Sequence, residues 1–200
     1  MKKIIITALC CVLAVVCANA QRHYVPHVHV GAHAGATLSQ VSFYPKTQES
    51  FLPGMQMGFS FRYAEERHVG LLAELNFAQH GWKENFEEYN SQFEYFRRTT
   101  YVELPVMTHI FFGSRVVKCF FNLGPQIGYM LGSSIHSNFD YGITGGAGVE
   151  FVIKKRHSVM LEARYYYGLG NLFPSSKKDE FSASRGNSIA VTLGYMFRIK

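Results

Sequence analysis

From residue 27 to the end of the chain, apolar and polar residues alternate almost without interruption. A period of two is the signature of β-strands with two unlike faces. Eight such runs are legible. They cover residues 27–38 (Val28, Val30 and Leu38 on the apolar face), 54–63 (Met55, Phe59, Tyr63), 69–79 (Leu71, Leu75, Phe77) and 100–112 (Val102, Leu104, Ile110). They continue over 116–131 (the odd positions from Val117 to Leu131), 141–153 (Ile143, Val149, Ile153), 158–169 (Val159, Leu161, Tyr167) and 188–199 (Ile189, Val191, Phe197). The apolar faces carry no charge. The opposite faces hold Gly, Ser, Thr, Asn, Gln and His, together with Arg62, Glu74, Glu103, Lys118, Glu150, Glu162, Arg164 and Arg198.

Two architectures fit strands with such faces. A soluble, lipocalin-like carrier would turn the apolar face inward. A transmembrane barrel inverts this, with the apolar face against lipid and the polar face filling the lumen. Three features favour inversion. The polar faces are rich in glycine (Gly31, Gly35, Gly58, Gly124, Gly128, Gly146, Gly148, Gly194), as a crowded interior requires. Their four anions and four cations balance, as enclosed charges should. The connections also alternate in length: 39–53, 80–99 and 170–187 are long, 132–140 is intermediate, and 64–68, 113–115 and 154–157 are short. Short turns on one side and long loops on the other, with both termini on the short side, are the pattern of outer-membrane barrels. The predicted strands are as long as the roughly 9–11 residues a tilted crossing needs. Aromatic residues gather toward both strand ends: Tyr63, Phe111, Phe112, Phe151, Tyr195 and Phe197 at one, Phe77, Trp82, Tyr129, Tyr165 and Tyr167 at the other. They are expected to form two interfacial belts. Pro105 and Pro125 fall inside strands, where each removes a ladder donor, so a bulge or a strand end is expected at each.

Composition sharpens this reading. The chain has 200 residues, 48% hydrophobic and 15% aromatic, with 17% charged against a usual value of about 25%. No apolar run approaches the roughly 20 residues of a membrane helix, and a disordered chain would hold fewer aromatics. Residues 1–20 read as a cleaved export signal: Lys2 and Lys3, an apolar stretch from Ile4 to Val16, and Ala18-Asn19-Ala20 before Gln21. Residues 21–200 then form one barrel domain. Loss of the two lysines lowers the net charge from +6 to +4, which is too mild to suggest nucleic acid. Of the four cysteines only Cys119 lies beyond the signal, so no internal disulfide supports the exported domain.

Several short motifs resemble a known family. They are Tyr101-Val102-Glu103-Leu104-Pro105, Leu123-Gly124-Pro125, Gly145-Gly146-Ala147-Gly148-Val149-Glu150, Leu161-Glu162-Ala163-Arg164 running on to Gly168-Leu169-Gly170-Asn171-Leu172, and Leu193-Gly194-Tyr195-Met196-Phe197. In order and spacing, over residues 27–199, they resemble the PorT-like outer-membrane β-barrel family. The resemblance implies a barrel in the outer membrane of a diderm bacterium. It implies no single activity.

The expected fold is therefore all-β: an eight-stranded, antiparallel, up-and-down transmembrane barrel with a filled polar lumen. Glu150, Glu162, Arg164 and Arg198 sit on the last three strands, where ion pairs between adjacent strands would fill the interior. Eight strands leave an interior only wide enough for side chains, so the eight lumen charges are read as a plug rather than as a catalytic or conducting site. His23, His27, His29 and His33 cluster near the start of the domain. A metal would need converging ligands and their supporting shell, so they are read as polar filling. Gly142 to Gly148 is glycine-rich, but a strand follows where a phosphate loop needs a helix N-terminus. His136-Ser137 has no orienting acid. No catalytic residue, metal or cofactor is expected.

Function is expected on the outer loops. The segment 82–99 combines Glu84, Glu87, Glu88 and Glu94 with aromatics and Arg97-Arg98. Its residues Trp82, Phe86, Tyr89, Tyr95, Arg97 and Arg98 are the binding candidates. The alternation inside it also suggests strands standing above the membrane. Expected partners are outer-membrane lipid and lipopolysaccharide, the barrel-insertion machinery during assembly, and an extracellular or periplasmic protein. The rival readings are a lipid-modifying enzyme, a narrow pore and the soluble carrier. The enzyme predicts Ser or His on the apolar face near the outer rim, and the apolar sets contain neither.

Overall fold

The alternation is realised as eight strands: β1 (His27–Tyr44), β2 (Leu52–Ala64), β3 (Val69–Glu88), β4 (Ser91–Gly113), β5 (Val117–Leu131), β6 (Phe139–Lys154), β7 (His157–Gly168) and β8 (Ala183–Arg198). This is a computed structural model, which describes residues 26–44, 52–64, 68–88, 91–131, 139–154, 156–170 and 183–199. The export signal and the His136-Ser137 pair lie outside those residues. Each strand pairs antiparallel with its sequence neighbour, and β1 pairs with β8, closing the barrel. Closure leaves no unpaired sheet edge, the condition for a sheet in hydrocarbon.

The faces separate as the alternation requires. No member of the apolar sets is buried. Phe59, Leu123, Val191 and Leu193 are 66%, 63%, 50% and 59% exposed. A lipocalin-like carrier would enclose these side chains, so that reading is excluded. On the other face Arg62, Glu74, Glu103, Glu150, Glu162 and Arg164 are all buried. The interior is filled but not purely polar. Ala64, Phe111, Phe120, Met160 and Met196 form an apolar cluster inside it. Phe111 was expected in an aromatic belt. It has the opposite parity to the outward-facing Ile110 and Phe112 and points inward instead. The other described belt residues, including Phe151, Tyr195, Phe77, Tyr129 and Tyr165, face outward, and the side chain of Trp82 lies outside the described set.

Strands extend into all three expected long loops. Residues 80–99 continue β3 and β4 to the pair Glu88↔Ser91. β1 and β8 continue into the expected first and last loops, to Tyr44↔Ala183. Above the membrane both faces of a strand are wet, so the contrast that marks a strand in sequence fades. The prolines also behave differently from expectation. Pairing lapses between Ala73↔Val106 and Asn76↔Glu103, and between Pro105↔Gln126 and Thr108↔Leu123, but resumes in the same register. Each missing donor opens a gap in the ladder and adds no bulge. The described register shift lies elsewhere, between Val152 and Lys154.

At the end carrying the termini, turns are short. After Gly113, with φ of 136°, Ser114 N–H donates to the Val117 carbonyl at 2.8 Å. The Ser114 hydroxyl oxygen accepts from the N–H of Val116 and Val117. At the other end the β3–β4 ribbon rises past its neighbours: β2 follows β3 only to Gln56↔Ala78, and β5 follows β4 only to Thr100↔Leu131.

Candidate functional site

The lumen is crossed by two arginine bars. Arg62 on β2 holds Glu150 on β6 with two parallel hydrogen bonds, 3.0 and 2.8 Å. Arg164 on β7 reaches Glu74 on β3 at 2.6 and 3.1 Å, and Glu162 on its own strand at 2.7 and 3.1 Å. In a closed ring of eight strands, members four apart stand opposite each other. Both bars therefore span the lumen, whereas pairs between adjacent strands were expected. Planar guanidinium groups suit this task because they meet carboxylates with two bonds in fixed geometry.

Neutral groups tie the bars together. Arg62 donates to His109 Nε2 at 3.2 Å, and His109 Nδ1–H donates to Asn122 Oδ1 at 2.7 Å. Asn122 Nδ2 then donates to Glu162 at 2.8 Å. On the far wall His33 Nδ1 bonds Ser60, which donates to Glu74. The chain runs unbroken from His33 to Glu150. Gly146 lets Glu162 into place, since a Cβ there would lie 2.5 Å from the Glu162 carboxylate oxygen.

The remaining predicted charges sit at the two mouths. Toward the ribbon, His80 donates to Glu103 at 2.7 Å, and Tyr166 hydrogen-bonds Asp140. Asp140 was expected in a loop, but it is buried on β6. Its even number, shared with Gly142 and Thr144, was the signal that could have placed it. His80 likewise falls at the start of the segment 80–99 that the alternation predicts as a loop, and His109 lies on the polar face of β4 with no motif to mark it. Toward the termini, Arg198 donates to His27 Nδ1 at 2.7 Å. Lys118 lies 5.1 Å from the Phe111 ring centroid. Beside them is a cavity of about 320 Å³, whose lining includes His27, His29, Arg62, Lys118, Glu150 and Arg198. A smaller pocket of about 30 Å³ at the ribbon end touches His80, Tyr101, Glu103, Asp140 and Tyr166. Neither lining includes Glu74, Glu162 or Arg164. Along β7, the last two of these fall between Ser158 of the lower cavity and Tyr166 of the upper pocket.

The histidines are not brought together around a common point, and no group of three His, Cys, Asp or Glu suited to a metal occurs among the described residues. His23 lies outside them. Gly142 to Gly148 runs straight through β6 with no helix following. Of the loop candidates, Trp82 pairs with Arg97, and Arg98 with Gly81, in the β3–β4 ladder; Tyr95 pairs with Glu84 and Phe86 with Phe93. Tyr89 lies outside the described residues.

Comparison with known proteins supplies the family. A model described as the outer membrane protein beta-barrel domain matches residues 19–174. No curated protein matches the chain. Among solved structures it is similar to the outer membrane protein OprG from Pseudomonas aeruginosa, with a TM-score of 0.57 at 11% identity over 86% of this chain and 96% of that one. It is also similar to Neisserial surface protein A, with a TM-score of 0.52 at 13% identity over 84% and 96%. At such identities the likeness extends to the fold alone.

Proposed function

Since the chain belongs to the outer membrane protein beta-barrel domain family, and so to the bacterial outer membrane, we propose that it is a non-catalytic structural or surface-binding protein acting through its extracellular ribbon and loops. Within the family we count it among the PorT-like barrels, on the motifs given above. The short turns and both termini then face the periplasm, and the β3–β4 ribbon faces outward.

One observation carries the reading. β3 and β4 stay paired to Glu88↔Ser91, well past the last residues their other neighbours follow. A rigid barrel thus carries a ribbon that, among the described residues, has no strand paired to its outer edges, and that mixes acidic, aromatic and basic residues. Such edges and loops are where binding concentrates. The barrel contributes anchorage and the crossbars block the lumen, which speaks against a pore. The absence of Ser and His from the apolar sets speaks against a lipid-modifying enzyme.

The test replaces residues 83–96 with Asn-Gly, a two-residue hairpin turn. The shortened protein should fold and keep the heat-dependent gel mobility of a closed barrel. Proteoliposomes of either form should not hydrolyse phospholipid or lipid A esters. A shortened protein that cannot fold would make the ribbon part of the scaffold, and ester hydrolysis would make the protein an enzyme.

A further inference from the structure

The periplasmic mouth has a chemistry that the ribbon reading leaves unused. Its cavity of about 320 Å³ is far larger than the roughly 10–15 Å³ that one water needs. Arg115 lines it from the β4–β5 turn, Arg156 from the β6–β7 turn and Lys118 from β5. Among the described residues Glu150 is the single carboxylate in the lining, and both its oxygens are engaged by Arg62. Arg115, Lys118 and Arg156 have no ion pair among the described residues.

The turns that carry Arg115 and Arg156 are also held in place. Val152 N–H donates to the Val116 carbonyl, and Arg198 N–H to the Arg156 carbonyl, both at 2.8 Å, so each turn is tied to the neighbouring strand. The Lys118 ammonium lies over the Phe111 ring. A partly enclosed mouth whose described charges are mostly cationic concentrates positive potential and draws in anions. Guanidinium groups match the oxygens of a phosphate in geometry as well as charge.

We infer that this mouth is a binding vestibule for phosphate-type oxyanions, gripped by Arg115, Lys118 and Arg156. The anion can come from a soluble phosphate of the periplasm or from an inner-leaflet phospholipid headgroup. The inference does not depend on the ribbon.

Calorimetric titration of pyrophosphate into the full protein, folded in a maltoside detergent at moderate salt, tests it. We expect saturable binding that falls at least about tenfold in the triple variant R115Q/K118Q/R156Q, because charge-assisted contacts are lost. Binding should be unchanged in R185Q, on β8 at the opposite end of the barrel. Folding of each variant is checked by its heat-dependent mobility. Should the triple variant not fold, Lys118→Gln alone decides, with at least about a threefold loss expected. No saturable binding, or equal binding by the variants, overturns the site. Bilayer discs identify the source. If binding is lost in phosphatidylglycerol discs but kept in phosphatidylcholine discs, the headgroup occupies the site. If it is kept in both, the ligand is the soluble anion.

Discussion

Arg164 meets two carboxylates from inside a barrel wall, so its removal would strand both Glu74 and Glu162. Buried charges left without a partner typically cost about 3–5 kcal/mol. Arg164→Ala should lose stability of that order in reversible unfolding from detergent or vesicles. Replacing both members of the other bar, Arg62→Met with Glu150→Met, should cost less than Arg62→Met alone, because no orphan charge remains. A double variant as damaged as the single would mean the pair itself stabilises the fold. At this scale the sequence was partly legible. Parity placed all eight predicted charges on the inner face. It could not say that Arg62 would find Glu150 or that Arg164 would find Glu74, since that choice depends on which strands face each other across the closed ring. Phe120 and Met107, buried on the inner face, show why charge alone misleads. An eight-stranded interior needs volume filled as well as charge neutralised.

At the scale of the strand, the division of faces is the main determinant. Val191 is half exposed on the lipid side of β8, and its neighbours Ala190 and Thr192 are buried. Val191→Arg should cost about 2–4 kcal/mol, the usual cost of a basic residue near mid-membrane on the lipid face. A neutral result in a reversible folding assay would reverse the faces. Strand existence and facing were legible because lipid and lumen impose opposite demands on successive residues. Strand ends were not, because that contrast stops where water begins. The ribbon from Gly81 to Arg98 was therefore read as a loop, with only its internal alternation hinting at pairing. Pro105 shows a second limit. A missing donor can be absorbed as a local gap when residues on both sides hold the register, and sequence does not distinguish that outcome from a bulge.

For the whole molecule, topology and chemistry agree on a closed wall with a locked interior. The crossbars divide the lumen into an outer pocket around Glu103 and Asp140 and a basic periplasmic vestibule. Closure was legible from the even strand number and from the alternation of long and short connections. The vestibule was not, because Arg156 lies about forty residues from Arg115 and Lys118 and joins them only when both turns are tied to the rim. Single-channel recording in planar bilayers tests this account most directly. Purified folded protein at high salt should insert without conductance steps, because the linked pairs Arg62–Glu150 and Arg164–Glu74 close the path. Regular, reproducible steps from the wild-type protein would contradict the locked lumen and make the barrel a pore.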